Sequence, residues 1–186
     1  PAPPAPEGVI AQGAFITSKE NVPTIADAGD FERDQPFSAG LWIKLGDDKN
    51  GAIISRMDEE EAHRGWDVWL QDGKPAMHIV SKWAEDAIKV TSRKALEAKK
   101  WQHLFISYDG SSKASGISIY INGVIQEVDR DPDKHKNTIK SKAPFKIGQR
   151  KKGENLELAG VQDIRLYTRV LKSEEIAALR DKPRLA

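Results

Sequence analysis

The sequence of 186 residues contains no cysteine. Disulfide bridges and thiol chemistry are therefore excluded, and a zinc site would depend on the four histidines and on carboxylates. No apolar run approaches the ~20 residues that a membrane span needs, so we expect no membrane insertion. The 29 basic and 28 acidic residues leave a net charge of +1, a balance that does not indicate nucleic-acid binding.

Proline is concentrated at the start of the chain, where four of the ten prolines lie within the first six residues. This composition predicts a semi-rigid linker over residues 1–8, followed by one domain over residues 9–186. The length suits one β-sandwich and is short for two. Because the chain starts without an initiator methionine or a signal-peptide pattern, we interpret it as a domain of a larger protein whose export signal would lie elsewhere.

Short segments that alternate apolar and polar residues dominate the rest of the chain. Leu104, Ile106 and Tyr108, for example, share one face of a predicted strand. Asp72-Gly73 and Asn122-Gly123 are dipeptides that favour tight hairpin turns. A short helix is predicted to begin near Ser173, which can cap it. Further strands are predicted at residues 9–16, 22–31, 37–45, 52–57, 65–71, 76–82 and 87–92. The pattern predicts an all-β sandwich of two antiparallel sheets.

The stretch from Arg56 to Trp83 holds three of the five tryptophans and two of the four histidines. Within it, alternation places Trp66 on one face of a strand and Asp67 and Trp69 on the other. Sugars bind with their C–H faces on aromatic rings and their hydroxyls on polar groups, so this mixture is typical of a carbohydrate site. The alternative is that the tryptophans fill the core and the charges are solvated.

We expect different positions for the five tryptophans. Trp42 and Trp101 are predicted to lie in the core, together with one of Trp66 and Trp69. Trp83, which follows a polar strand end, is predicted to be exposed.

Several motifs give the chain a family resemblance. The segments WQHLFISYDG, ISIYING and QDIRLYTRVLKSEEI resemble the C-terminal half of laminin-G-like domains in the concanavalin A-like superfamily. The segments GDF, IISRMD, RGWDVWL, HIVSKW and KIGQR resemble inserts of that type in large bacterial proteins that also carry cytochrome c-type domains. The resemblance covers nearly everything after the linker, and it implies a jelly-roll sandwich, an extracytoplasmic location (periplasmic, cell-surface or secreted) and a ligand-binding role.

The resemblance also implies a set of ligand-binding residues. In this sequence they are Arg56, Asp58, His63, Arg64, Trp66, Asp67, Trp69, His78, Lys82, Trp83 and Arg150. The family often has an aromatic residue at the position of His63, so the role of this histidine is open.

A basic segment from Lys134 to Lys152 contains eight lysines or arginines and no acidic residue. Clustered cations attract polyanions such as sulfated or uronic polysaccharides, so an anionic polysaccharide is one possible ligand. The alternative is a solvated loop that leads into a strand. Aromatic residues are not interleaved with these cations, which argues against nucleic acid.

Hard oxygen ligands suggest calcium as the one metal to consider. Asp27, Asp30 and Asp163 are the candidate ligands, since jelly-roll relatives often hold a structural calcium near the chain ends. The alternative is that these aspartates form Asx turns. No other cofactor is expected.

Catalytic motifs are missing from the sequence. Asp58 and the three glutamates after it are contiguous, so they do not form the carboxylate pair ~5 Å apart that retaining glycoside hydrolysis needs. No nucleophile elbow, phosphate loop or metalloprotease helix occurs. We therefore predict a non-catalytic, monomeric carbohydrate-binding module of an exported protein. The alternative is an architectural domain that packs against neighbouring domains of its parent protein.

Overall fold

The computed structural model describes residues 14–182, and the predicted linker at residues 1–8 lies outside them. In chain order the strands are β1 (Phe15–Ile16), β2 (Thr24–Ile25), β3 (Phe37–Lys44), β4 (Gly51–Asp58), β5 (Arg64–Gln71), β6 (Lys74–Lys82), β7 (Asp86–Ser92), β8 (Trp101–Tyr108), β9 (Ile117–Ile121), β10 (Val124–Ile125), β11 (Val128–Lys134), β12 (Phe145–Ile147) and β13 (Gly160–Tyr167). One α-helix, α1 (Ser173–Asp181), follows them.

The strands form two antiparallel sheets. The six-stranded sheet has the order β1-β13-β3-β8-β9-β10, and the seven-stranded sheet has the order β11-β7-β6-β5-β4-β12-β2. One contiguous core of apolar residues from both sheets lies between them. The predicted all-β sandwich with one short C-terminal helix is confirmed.

The core is fixed by aromatic rings that meet between the sheets. Phe31 stacks on Phe37 with ring centroids 4.2 Å apart, and both rings contact the indole of Trp66. Trp66 is 1% exposed, and its Nε1 donates to the carbonyl of Gly29 at 2.8 Å. Burial of such a ring stabilises the fold by several kcal/mol, roughly 3–5 by the cost of truncating it to alanine.

Both predicted hairpin turns occur. Asp72 and Gly73 have φ angles of 52° and 75°, and Asn122 and Gly123 have 52° and 78°. Positive φ at both central residues is the geometry of a type I′ turn, which matches the twist of the flanking strands.

Helix α1 begins at the predicted position, but its capping differs from the prediction. The N-cap residue is Lys172 rather than Ser173. The backbone nitrogen of Lys172 donates to the Glu175 carboxylate at 2.9 Å, which caps the N-terminus of the helix. Ile176 of the helix is buried on the outer face of the six-stranded sheet, where it packs with Phe105 and Tyr120.

The core assignment of two tryptophans was wrong. Trp42 and Trp101 are half-buried on the outer face of the six-stranded sheet. Trp42 alternates with Leu41 and Ile43, which occupy the core-facing positions, so the indole must point outward. The predicted strand at residues 22–31 is also shorter than expected, because only Thr24–Ile25 pairs with a neighbour.

Candidate functional site

The outer face of the seven-stranded sheet carries a row of polar residues across four strands. Ser55, Asp67, His78 and Lys89 are directly opposite one another on β4, β5, β6 and β7. The core-facing neighbours of Asp67, His78 and Lys89 are apolar, so the strand alternation predicted from sequence places this row outside the core.

A cavity of about 220 Å³ opens on this face, and we call it the sheet-face pocket. Its walls combine aromatic, apolar and nitrogen-bearing side chains. They are Met57, His63, Trp69, His78, Val80, Trp83, Lys89 and Arg150. Five of these eight residues (His63, Trp69, His78, Trp83 and Arg150) are among the predicted ligand-binding residues.

Asp67 lies beneath the pocket and is fully buried. Its Oδ1 is 2.6 Å from Nδ1 of His78, and its Oδ2 accepts a hydrogen bond from Nη1 of Arg150 at 3.2 Å. A buried carboxylate requires such partners. The contact with Asp67 places the N–H of His78 on Nδ1, which leaves Nε2 without a partner among the described residues.

Arg150 closes one side of the pocket. Its guanidinium carbon lies 4.4 Å from the centre of the Trp69 ring, a cation–π contact. Its Nε donates to Glu59 at 2.7 Å and to Glu154 at 2.9 Å, and its Nη2 donates to Glu154 at 2.6 Å. With Asp67, three carboxylates hold this guanidinium in place.

The two glutamates around Arg150 titrate in opposite directions. Burial, reinforced by the nearby Glu154 carboxylate, raises the pKa of Glu59 to about 7. Burial also opposes ionisation of Glu154, but hydrogen bonds from Arg150, Glu59 and Lys151 outweigh it and lower the pKa of Glu154 to about 2. Near neutral pH, Glu154 is therefore ionised, whereas Glu59 is close to the midpoint of its titration.

Trp83 and His63 form the rim of the pocket. Trp83 is 40% exposed, and its ring meets His78 edge-on with centroids 5.3 Å apart. Its backbone nitrogen donates to the carbonyl of Ala62 at 3.0 Å, which ties it to the turn that carries His63. His63 has a φ of 64°, an unusual backbone conformation for a non-glycine residue. Burial and the nearby Arg150 lower the pKa of His63, which favours the neutral ring.

Other predicted ligand-binding residues lie away from the pocket. Trp66 faces the core and cannot reach a ligand. Arg56 is buried, and its Nη1 donates to the carbonyls of Ala26 and Ala28 at 2.6 and 3.0 Å, so it holds a loop.

The remaining three are placed in local contacts at the end of the sheet. Asp58 accepts backbone hydrogen bonds from residues 60 and 61 of its own turn. Arg64 pairs with a glutamate at 3.1 Å, and Lys82 pairs with another at 2.6 Å. Arg64 and Lys82 line a separate, wide cleft of about 1300 Å³.

The sequence-based set missed Lys89, Glu59 and Glu154. Lys89 alternates with the core residues Ile88 and Val90, a pattern that could have placed it on the same face as His78. Glu154 follows Arg150 by four residues, but no strand or helix periodicity marks that contact.

The basic segment at residues 134–152 is partly neutralised by acids from other parts of the chain. Lys140 pairs with Asp30 at 2.9 Å, and Lys151 lies 3.8 Å from Glu59. The segment itself contains no acidic residue, but acidic residues from other parts of the chain lie next to it. Lys134, Lys136, Lys142 and Lys152 have no ionic partner within residues 14–182.

The candidate calcium ligands are not brought together. Asp30 pairs with Arg56 and Lys140, and Asp163 is held by Arg165 through two contacts of 2.8 Å. Among residues 14–182 no group of three or more histidine, aspartate or glutamate side chains has the arrangement of a metal site. In the same part of the chain, α1 is neither long nor apolar enough to cross a membrane.

Comparisons with known proteins agree with this fold. A protein-family profile described as the Concanavalin A-like lectin/glucanases superfamily matches residues 17–177. The binding domain of Paraclostridial Mosquitocidal Protein 1 has a TM-score of 0.64 at 16% identity, over 87% of this chain and 40% of that one. The botulinum neurotoxin serotype D binding domain has a TM-score of 0.57 at 16% identity, over 79% of this chain and 36% of that one.

A third structure adds a ligand to the comparison. It is of botulinum neurotoxin type C, whose cell entry is described as dependent on interaction with two ganglioside molecules. Its TM-score is 0.57 at 14% identity, over 81% of this chain and 36% of that one. The chain therefore spans about two-fifths of the length of these binding domains, and the likeness concerns the fold. Curated protein sequences give no match.

Proposed function

Because the chain belongs to the laminin-G-like family of the Concanavalin A-like lectin/glucanases superfamily, we propose that it is a carbohydrate-binding module. The observation that carries the proposal is the exposed ring of Trp83 beside the oriented imidazole of His78 in the sheet-face pocket. An exposed indole gives the C–H face of a sugar an apolar surface, and the fixed ring nitrogen gives a hydroxyl a hydrogen-bond partner. The structurally similar botulinum neurotoxin type C, whose cell entry is described as dependent on interaction with two ganglioside molecules, supports the same class of ligand.

The pocket is preorganised for such a ligand. Asp67 fixes both His78 and Arg150, and Arg150 in turn packs on Trp69. Binding therefore needs little ordering of side chains, and the affinity is not reduced by that entropic cost.

We propose that the module is not catalytic. Among residues 14–182 no carboxylate lines the sheet-face pocket, and Glu59, Asp67 and Glu154 are engaged by Arg150. Retaining hydrolysis needs two free carboxylates on either side of the scissile bond. Prolonged incubation with the bound glycan should release no new reducing ends, and release would overturn this part of the proposal.

The proposal extends to the surroundings of the module. Its motifs resemble inserts of exported bacterial proteins with cytochrome c-type domains, so we propose a linker at residues 1–8, a domain at residues 9–186 and an extracytoplasmic location. The full-length sequence of the parent protein tests this directly, since a parent without an export signal would contradict it.

The test of carbohydrate binding begins with a glycan array, run with and without calcium, to find a bound polysaccharide. Trp83→Ala should then weaken its binding at least ~10-fold, about 1.4 kcal/mol, while the melting temperature stays close to that of the wild type. Trp42→Ala, on the opposite outer face, is the matched control and should leave affinity unchanged. Unchanged affinity in Trp83→Ala would refute the sheet-face pocket as the binding site, and an array without any bound glycan would refute the carbohydrate function.

A second candidate is an architectural domain that packs against its neighbours. Val124 and Ile125, which are 62% and 60% exposed at the edge of the six-stranded sheet, favour it. Exposed apolar side chains at a sheet edge often mark protein contacts. In a pull-down experiment, the double variant Val124→Ser and Ile125→Ser of the isolated module should then no longer capture the neighbouring domains. Its glycan binding should stay intact.

A further inference from the structure

The walls of the sheet-face pocket are rich in hydrogen-bond donors and poor in acceptors. Lysine, arginine and the tryptophan indole can only donate, and each histidine offers at most one acceptor nitrogen. Within the described part of the chain, no carboxylate, amide or hydroxyl side chain lines the pocket. The hydroxyls of a neutral sugar could accept from these donors, but their own O–H groups would find few acceptors in the walls, whereas a carboxylate or a sulfate only accepts.

The acidic groups near the pocket do not alter this balance. Asp67 is 0% exposed, and both of its oxygens already face donors. Glu59 and Glu154 accept the N–H groups of Arg150. None of the three lines the pocket.

Arg150 is therefore neutralised, and Lys89 is the cation that remains in the pocket. Nζ of Lys89 donates to the Gln71 side chain at 2.8 Å, which leaves further N–H groups for a ligand. Lys89 forms no ion pair with any residue in 14–182.

Lys89 also lies beside the imidazole that the pocket orients. It is directly opposite His78 on the neighbouring strand, and such pairs have Cβ atoms ~5 Å apart. The same imidazole touches the ring of Trp83 on its other side. Trp83, His78 and Lys89 all line the pocket, so a sugar on Trp83 could place a substituent near His78 and near an ammonium group that has no ionic partner among the described residues.

We propose that the sheet-face pocket selects sugar units that carry an acidic group, a carboxylate or a sulfate, and that Lys89 binds this group. The inference rests on the proposed carbohydrate-binding function and names its ligand class. It differs from the sequence-based expectation, because the anion contact moves from the basic segment at residues 134–152 to one lysine of β7.

Two matched pairs of probes test it by titration calorimetry. Oligogalacturonate is compared with its methyl ester, and dextran sulfate oligomers are compared with dextran. We expect at least ~10-fold tighter binding of the acidic member of one or both pairs, and the pair that shows it distinguishes carboxylate from sulfate. Equal affinity within both pairs, or binding of neutral array glycans alone, would overturn the inference.

Variants separate this inference from the function on which it rests. Lys89→Met keeps the aliphatic stem and should abolish the preference for the acidic probe, whereas Lys94→Met, on the exposed loop after β7, should keep it. Trp83→Ala should weaken the acidic and the neutral probes alike. A preference that survives Lys89→Met overturns the role assigned to Lys89, and sugar binding that survives Trp83→Ala overturns the sheet-face pocket as the carbohydrate site. Melting curves of each variant confirm folding.

Discussion

The two outer faces of the sandwich arise from the same alternation of residues along the strands, but only one of them is covered by a helix. On the six-stranded sheet, Phe105 and Tyr120 are covered by Leu171 and by Ile176 of α1. On the seven-stranded sheet, no helix among residues 14–182 covers the row from Ser55 to Lys89, and the sheet-face pocket stays open.

The histidines show the difference most clearly. His103, on the covered face, has a buried Nδ1 without a partner, and burial lowers its pKa to about 4, so the ring is neutral. His78, on the open face, is oriented by the buried Asp67. A face sealed by apolar packing tolerates a neutral imidazole, whereas a face that must offer polar groups to a ligand needs a second layer of partners to hold them.

The largest expected effect comes from removing that second layer. Asp67→Ala leaves His78 and the buried guanidinium of Arg150 without their shared partner, and should lower the free energy of unfolding by about 3–5 kcal/mol. Asp129→Ala, which breaks the exposed pair with Arg93, is the control and should cost under about 1 kcal/mol. Urea denaturation measures both. A cost for Asp67→Ala no greater than for the control would show that the open face is not held by this carboxylate.

A second contrast between the faces lies in the pH dependence of stability. The folded-state pKa of His103 is lowered from 6.5 to about 4, so its contribution is present above pH 6.5 and is lost as the pH falls towards 4. The folded-state pKa of Glu59 is raised from 4.5 to about 7, so its effect is the opposite: stability increases as the pH falls from 7 to 4.5.

Two variants separate these contributions. In the wild type, His103 should lower the free energy of unfolding on acidification by up to about 1.4 kcal/mol per pH unit. In His103→Phe this decrease should be absent. In Glu59→Gln, the increase in the free energy of unfolding between pH 7 and pH 4.5 should be absent. Urea unfolding at several pH values between 4 and 7.5 checks both signs. If both variants change the pH dependence of the free energy of unfolding in the same direction, the two faces do not differ in how protonation affects stability.

The sequence predicted the sandwich well because alternation and turn dipeptides are local signals. Asp72-Gly73 and Asn122-Gly123 are found where expected, and alternation correctly separated Trp66, which faces the core, from Asp67 and Trp69 on the outer face of the sheet. Alternation does not show which sheet face is later covered. Trp42 was therefore misplaced, since an apolar residue on an outer face looks like core when the covering element is unknown.

The candidate site was predicted in part for a related reason. Trp83 directly follows β6, the strand that carries His78, so their proximity followed from the sequence. The partners of Arg150 did not, because they come from a loop 91 residues away and from a turn. Likewise, the acidic residues that pair with the basic segment are distant in sequence. The sequence alone therefore overestimated the net positive charge around this segment.

The smallest expected effect concerns that basic segment and the open face beside it. If Lys89 provides the main contact to an acidic sugar, binding should weaken less than ~10-fold when NaCl is raised from about 0.01 to 0.15 M, although the Debye length falls from ~30 to ~8 Å. A contact between groups that are close together is screened little, whereas the four exposed lysines of the segment that have no ionic partner among the described residues would act over longer distances. Replacing Lys134, Lys136, Lys142 and Lys152 with glutamine should therefore change the affinity at 0.15 M by less than about twofold. Calorimetric titrations of wild type and of this fourfold variant at both salt concentrations provide the measurement. A 100-fold loss of wild-type affinity that the variant abolishes would return the main anion contact to the basic segment, and the open face would then serve only to stack the sugar.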